Sequence, residues 1–174
     1  MKAVFLDRDG TINVGIPRVA RVDSVEKVEL LPYVIEGLKL LASLDYRVFL
    51  VTNQAGMAEG LITPEQFEKI NNRTLELIAP SGVKIVETYI CPHGEKDSCE
   101  CRKPKPKMLQ DAAQKYDIDL AKSWMVGDRL TDIQTGKNAG TKTVLVLSGE
   151  IVEAPTATFT AKNILQAIEY IASH

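Results

Sequence analysis

The 174 residues carry 21 Lys and Arg against 23 Asp and Glu, a net charge of -2, with 45% hydrophobic and 25% charged side chains. A chain of this size and mixture fits one soluble domain that buries roughly two-thirds of its unfolded surface, and its slightly acidic balance argues against a nucleic-acid partner. No apolar run approaches a membrane span and the apolar residues before Asp7 are too few for a signal-peptide core, so a cytoplasmic protein with no membrane partner is expected.

The first apolar run, Ala3-Val4-Phe5-Leu6, reads as a buried parallel strand and stops at Asp7-Arg8-Asp9-Gly10-Thr11. Two carboxylates one residue apart at the carboxyl end of such a strand can hold a hard cation such as Mg2+ and divide nucleophilic attack from proton transfer. The duller reading is a turn, because Asp-Gly is a common turn dipeptide. A calcium loop is excluded by spacing: counted from Asp7, the position that needs Gly is Ile12 and the one that needs Glu is Arg18. Residues 12 to 30 have no long helical period and read as a flap or short hairpin over the carboxylates. Its Arg18 and Arg21 are either solvated or in contact with a substrate.

From Leu31 to Leu44 the apolar residues recur at helical spacing. A second buried run, Val48-Phe49-Leu50-Val51, ends in Thr52-Asn53-Gln54. Thr63-Pro64-Glu65-Gln66 combines a capping residue, Pro at the first helical position and Gln at the third, which marks a helix that runs to about Pro80-Ser81-Gly82. A third strand from about Lys84 to Ile90 leads into a Cys/His cluster and then Lys103-Pro104-Lys105-Pro106, where the prolines interrupt regular structure. A helix from about Pro106 to Tyr116 follows. Trp124 to Asp128 reads as a fourth strand, and Thr131 with Gln134 as the capping box of the next helix, which ends near Gly140. Thr143 to Leu147 supplies a fifth strand, a piece near Ala157 to Phe159 a sixth, and Asn163 to Ala172 a closing amphipathic helix. Alternating strands and helices predict a parallel sheet covered on both faces, with ligands outside the carboxyl ends of its strands. There Asp7, Asp9, Thr52, Asn53 and Asp128 converge, and Arg102 and Lys103 follow the third strand.

Cys91, His93, Cys99 and Cys101 supply four soft ligands within eleven residues. That density suits a closed tetrahedral Zn2+ site of structural role better than an incidental thiol cluster, which leaves His93 unexplained. A loop pinned by metal would hold Arg102 and Lys103 with little entropy left to lose on binding phosphate. Asp132 is either a helix-start charge or catalytic, and Thr52 either bonds its own backbone or donates to a phosphate oxygen.

Taken in order, Asp7-Arg8-Asp9-Gly10-Thr11, Thr52, Lys103 and Gly127-Asp128-Arg129-x-x-Asp132 resemble the four motifs of the haloacid dehalogenase superfamily, over nearly the whole chain. The Cys/His loop with Cys-Arg-Lys-Pro narrows the resemblance to the branch of heptose-bisphosphate and histidinol-phosphate phosphatases. Val51-Thr52-Asn53-Gln54-Ala55-Gly56 and Phe5 to Val14 are most similar to the heptose enzymes. The flap departs from them, since Gly15-Ile16-Pro17-Arg18-Val19-Ala20-Arg21 lacks the Tyr and His often found there.

The resemblance implies an α/β, Rossmann-like doubly wound parallel sheet with a short flap, no large cap domain and a zinc-bound loop, forming one phosphatase domain over residues 1–174. It implies Mg2+-dependent phosphomonoester hydrolysis through an aspartyl-phosphate, removing the 7-phosphate of a heptose 1,7-bisphosphate, with histidinol phosphate as the alternative substrate. Asp7 would be the nucleophile and Asp9 the acid and base. Mg2+ would be held by Asp7, the Asp9 carbonyl and Asp128, while Thr52, Arg102 and Lys103 would stabilise the transferring phosphoryl group. Gly15, Ile16, Pro17, Arg18, Asn53, Gln54, Ala55 and Arg129 would touch the substrate. Remoter readings are a nucleic-acid 3'-phosphatase, which the acidic balance disfavours, and a zinc-stabilised binding module without turnover. A monomer with an open site is expected.

Overall fold

The computed structural model describes residues 1–14, 24–147 and 156–174. Its elements are β1 (Ala3–Leu6), α1 (Val34–Ala42), β2 (Arg47–Asn53), α2 (Ala55–Ala58), α3 (Pro64–Ile78), β3 (Ile85–Cys91), α4 (Lys107–Tyr116), β4 (Trp124–Gly127), α5 (Leu130–Ala139), β5 (Lys142–Val146), β6 (Phe159–Ala161) and α6 (Ile164–Ala172). The strands form one parallel sheet in the order β3-β2-β1-β4-β5-β6. The chain therefore lays strands outward from β1 on one side, then returns to β4 and builds outward on the other. Between β1 and β4 lies the switch point, where the crevice at the strand carboxyl ends opens to ligands.

All four residues of β1 are buried, as expected of a strand covered on both faces, and this is why it reads as a continuous apolar run. Its side chains alternate between two cores. Val4 and Leu6 pack with Leu38 and Leu41 of α1, Trp124 of β4, and Ile164 and Ile168 of α6. Ala3 and Phe5 face Phe49 of β2 and Met108, Leu109 and Ala112 of α4. A strand held this firmly from both sides gives the residue that follows it a fixed position.

The start of α3 is as expected: Thr63 Oγ1 accepts from the Gln66 amide at 3.1 Å and Gln66 Oε1 from the Thr63 amide at 2.7 Å. The start of α5 corrects the Thr131–Gln134 capping box. The helix begins earlier, and Asp132 Oδ2 accepts from the Arg129 amide at 3.0 Å. Thr131 lies within the first turn, where its carbonyl accepts from the Thr135 hydroxyl, and Gln134 donates instead to Asn138. β6 begins at Phe159, where the expected strand ends, and α2 is a helix beyond those expected. In the segment before α1, Asn13 bridges both Asp9 and Leu30, and Val25–Lys27 form a 3-10 turn. The flap residues Gly15, Ile16, Pro17, Arg18 and Arg21 lie outside the described residues. Among those described, no helix is long and apolar enough to cross a membrane.

Candidate active site

The ladder continues one residue past β1, because the Asp7 amide donates to the Val126 carbonyl at 2.9 Å. Asp7 is thereby fixed beside the end of β4 with its side chain buried. The chain then turns tightly. The Arg8 carbonyl accepts from the Ile12 and Asn13 amides at 2.9 and 3.1 Å, and the Gly10 amide donates to the Asn13 carbonyl at 2.8 Å. Gly10 stands at φ +98°, and a Cβ there would overlap the Asp128 carboxylate. Only glycine suits this backbone and leaves room for that group.

Lys103 reaches into this turn from the far side of β2. Its buried Nζ lies 2.5 Å from Asp7 Oδ1, 2.6 Å from Asp132 Oδ1 and 3.1 Å from the Val51 carbonyl. Asp7, Asp128 and Asp132 each place a carboxylate oxygen within 4.8 Å of the others. Burial, reinforced by the Asp132 and Asp128 charges, outweighs Lys103 and raises the Asp7 carboxyl well above the ordinary range. Burial and Asp132 likewise raise Asp128. Burial would lower Lys103, but the Asp132 and Asp7 charges outweigh it and raise it, so the ammonium is retained. Three ionised carboxylates around one ammonium would leave an excess of negative charge in a low-dielectric crevice, the repulsion that joins burial in raising Asp7 and Asp128. Hard oxygen donors with that excess are the donor set Mg2+ takes, so these residues fit the ion.

Asp9 sits in a second network. Arg8 forks onto it, with Nε to Oδ1 at 3.1 Å and Nη2 to Oδ2 at 2.9 Å. Asn13 Nδ2 donates to Oδ1 at 2.8 Å and Gln54 Nε2 to Oδ2 at 2.7 Å, while the Thr52 hydroxyl stands 3.5 Å from Oδ2. Burial would raise this carboxyl, but the Arg8 charge and the hydrogen bonds of Arg8, Asn13 and Gln54 outweigh it and hold Asp9 below its usual value. Without a metal ion the two carboxyls of the first motif are therefore perturbed in opposite directions, Asp7 toward its neutral form and Asp9 toward the carboxylate. A cation bound at Asp7 would favour its ionised form, the form a nucleophile needs.

The Cys/His loop explains how Lys103 arrives. Cys91 Sγ lies 2.9 Å from Cys101 Sγ, 3.7 Å from Cys99 Sγ and 3.6 Å from His93 Nδ1, and His93 Nδ1 lies 3.2 Å from Cys101 Sγ. Four soft donors converging on one point fit a closed Zn2+ site. The loop is tied to the active-site turn by main-chain bonds, from the Gln54 amide to the Cys91 carbonyl at 2.7 Å and from the Ala58 amide to the Pro92 carbonyl at 3.1 Å. Beyond the loop, Asn53 brackets the Lys103 peptide and Asn138 Nδ2 donates to the Pro104 carbonyl at 2.9 Å.

The structure therefore brings together Asp7, Asp9, Thr52, Gln54, Lys103 and Asp128. Asp132 holds both roles considered for it, capping α5 with one oxygen and pairing with Lys103 through the other. Arg102 turns toward the Cys/His loop, donating to the His93 carbonyl at 3.1 Å and lying 3.6 Å from Glu95. Arg129 is exposed at the start of α5, and Ala55 opens α2. Arg8 and Asn13, outside the expected site residues, join it through Asp9. The Asp-Gly turn was the available signal, since a turn there folds residues 8 and 13 back around Asp9.

The HAD-hydrolase-like family model matches residues 100–169. A D-glycero-beta-D-manno-heptose-1,7-bisphosphate 7-phosphatase of Helicobacter pylori is 35% identical over 171 residues, spanning 98% of this chain and 97% of its own. The chain belongs to the haloacid dehalogenase superfamily, among its phosphatases. A phosphatase with the same name from Photorhabdus laumondii is 42% identical over 159 residues, covering 86% of this superfamily member and 82% of its own chain. The solved structure of the D,D-heptose 1,7-bisphosphate phosphatase from B. bronchiseptica, complexed with magnesium and phosphate, superposes with a TM-score of 0.86 at 32% identity over 99% of both chains. The match thus extends well beyond the family model into β1, β2 and the Asp7–Asp9 turn.

Proposed function

We propose that this phosphatase removes the 7-phosphate of D-glycero-D-manno-heptose 1,7-bisphosphate by Mg2+-dependent hydrolysis through an aspartyl-phosphate. The observation that carries the chemistry is Lys103, bound at 2.5 Å to Asp7 and 2.6 Å to Asp132 beside Asp128, at the switch point of the sheet. The names of the relatives support the substrate.

In this reading an Asp7 oxygen attacks phosphorus as the ester P–O bond breaks, and the Asp9 carboxyl gives its proton to the departing sugar oxygen. Asp9, now a carboxylate, then takes a proton from the water that cleaves the aspartyl-phosphate. Lys103 holds the Asp7 oxygen in line and with Thr52 offsets charge on the transferring group; Arg102 would join them by exchanging its contacts with His93 and Glu95 for the phosphate. Asp7, the Asp9 carbonyl and Asp128 would hold Mg2+, which when bound offsets the repulsion between carboxylate and phosphate. Cys91, His93, Cys99 and Cys101 would hold Zn2+, with a role in folding the loop. Gly15 to Arg18, Asn53, Gln54, Ala55 and Arg129 would face the sugar, Asn53 with the N–H and lone pair that its two bonds to the Lys103 peptide leave over. The chain would work as a single-domain cytoplasmic monomer.

The test is Mg2+-dependent phosphate release from heptose bisphosphate compared with histidinol phosphate. A preference for histidinol phosphate by orders of magnitude would overturn the substrate. Absence of release from any small phosphate ester would make the chain a binding module.

A further inference from the structure

Arg8 is the largest charged side chain in the interior, 1% exposed. Its fork onto Asp9 joins neighbours in sequence, which in an extended chain point to opposite faces. They meet here because the chain turns at Gly10. On its other side the guanidinium lies over the ring of Phe67 from α3, with Cζ 5.0 Å from the ring centroid. Among the described residues Nη1 is buried without a hydrogen-bond partner, a cost the fold bears for keeping this cation inside.

Turn closure does not need this side chain, because the main-chain bonds to the Arg8 carbonyl already close it. The contacts on Asp9 divide unevenly. Asn13 engages only Oδ1, and Gln54 and Thr52 only Oδ2. Arg8 engages both oxygens with a planar, rigid fork, which fixes rotation about the Cβ–Cγ bond of Asp9.

We propose that Arg8, braced on Phe67, is a positioning residue that sets the plane of the Asp9 carboxyl for proton transfer to the leaving group. The inference rests on Asp9 acting as the acid under the proposed function. As the bond from Asp7 to phosphorus forms and the ester P–O bond breaks, the proton on Asp9 passes to the ester oxygen. That transfer needs the carboxyl oxygen within hydrogen-bond reach of the ester oxygen. Arg8 and Asn13 donate to Oδ1 and Arg8 and Gln54 to Oδ2, a set that suits the carboxylate, so Asp9 gives up one of these bonds when it carries the proton. A carboxyl free to rotate would meet the requirement only part of the time.

The test compares two leaving groups in the full chain with Mg2+. A sugar alkoxide needs a proton to depart, whereas p-nitrophenolate leaves as a stabilised anion. The quantity read is kcat/KM, which reports steps only through phosphoryl transfer and so excludes the later hydrolysis of the aspartyl-phosphate. Arg8→Gln should lower kcat/KM about 100-fold on heptose bisphosphate and less than about threefold on p-nitrophenyl phosphate. Arg8→Lys, which keeps charge without the fork, should fall nearly as far with the same selectivity. Phe67→Leu should lose about tenfold on the sugar ester alone. Equal losses on the two esters would make Arg8 an ordinary structural ion pair and overturn the inference. Where melting curves show that the Arg8 variants do not fold, Phe67→Leu decides by the same criterion. A wild-type chain that hydrolyses neither these esters nor histidinol phosphate overturns the phosphatase reading and this inference together; where histidinol phosphate is the ester turned over, it takes the place of the sugar ester in the comparison, and equal losses in the variants overturn only this inference.

Discussion

Asn53 grips the peptide of Lys103 from both sides, its Nδ2 donating to the Lys103 carbonyl at 3.2 Å and its Oδ1 accepting from the Lys103 amide at 3.1 Å. The end of β2 is thereby joined to the residue that delivers the ammonium to Asp7. Asn53→Ala removes both bonds and leaves two main-chain groups to find water. Expected is a loss of about 1–3 kcal/mol in stability, with kcat/KM on the preferred phosphate ester down about 100-fold as Lys103 loses its setting. Thermal melting and steady-state kinetics on the same preparation check both effects; an unchanged kcat/KM would show that Lys103 is positioned without this clamp.

Replacing Asp7 by Asn separates chemistry from folding. The carboxyl is nearly isosteric with the amide, and Lys103 keeps Asp132 as its partner. Burial and two neighbouring carboxylates already raise Asp7, so losing that charge removes a repulsion as well as an attraction. Hydrolysis should disappear while the melting temperature stays nearly unchanged. Normal turnover by Asp7→Asn would rule out Asp7 as nucleophile.

The strand ends that build this site were legible because a strand buried on both faces must be apolar until it emerges, so the first polar residue marks the crevice: Asp7 after β1, Thr52 at the end of β2, Asp128 after β4. Strand order was not legible, because the return from β3 to β4 beside β1 depends on tertiary packing. α2, with four residues, is too short to show a helical period. The cap of α5 is not legible because Thr131 and Gln134 carry the capping-box side chains, whereas Arg129 offers no acceptor and only Asp132 caps, with one oxygen on the Arg129 amide and the other on Lys103, distant in sequence. The Arg8 fork escaped for a similar reason: nothing in an extended reading lets adjacent side chains meet.

The perturbed carboxyls give a pH dependence with a definite sign. A carboxyl raised on folding binds its proton more tightly in the native state, so stability falls as pH rises from its unfolded value near about 4 through its raised value. Asp7 and Asp128 both act in this direction. Asp9 is lowered and acts oppositely, gaining stability with pH, but its window lies below the ordinary value. In Mg2+-free buffer the melting temperature should therefore carry a downward contribution above pH 4, and added Mg2+ should raise it more at pH 8 than at pH 5, since the ion competes with protons for these oxygens. Protection by Mg2+ that does not change with pH would contradict the raised acidities.

Gly10→Ala should disable the site through Asp128. A side chain at φ +98° is strained by about 1–3 kcal/mol, and its Cβ would fall on the Asp128 carboxylate. That carboxylate would have to move away from Asp7, and an oxygen proposed to hold Mg2+ would move with it. Mg2+ affinity, read by calorimetry, should fall along with activity, and added Mg2+ should restore only part of the rate. Full activity at ordinary Mg2+ would mean that Asp128 has room to shift without consequence.

The Cys/His loop is bonded to both halves of the site. Cys91 and Pro92 accept from Gln54 and Ala58, Gln54 holds Asp9, and Lys103 follows Cys101 by two residues. Loosening the loop therefore reaches both halves of the site. Chelation at a strength that removes Zn2+, followed by resupply of Mg2+ alone, should lower the melting temperature and leave hydrolysis impaired, with both restored by Zn2+. Ser in place of Cys99 should do the same in milder form, because a neutral hydroxyl is a poor ligand for Zn2+. A melting curve unchanged by chelation would contradict a metal-pinned loop, and full activity despite a lowered melting curve would show that Asn53 and Asn138 suffice to hold Lys103.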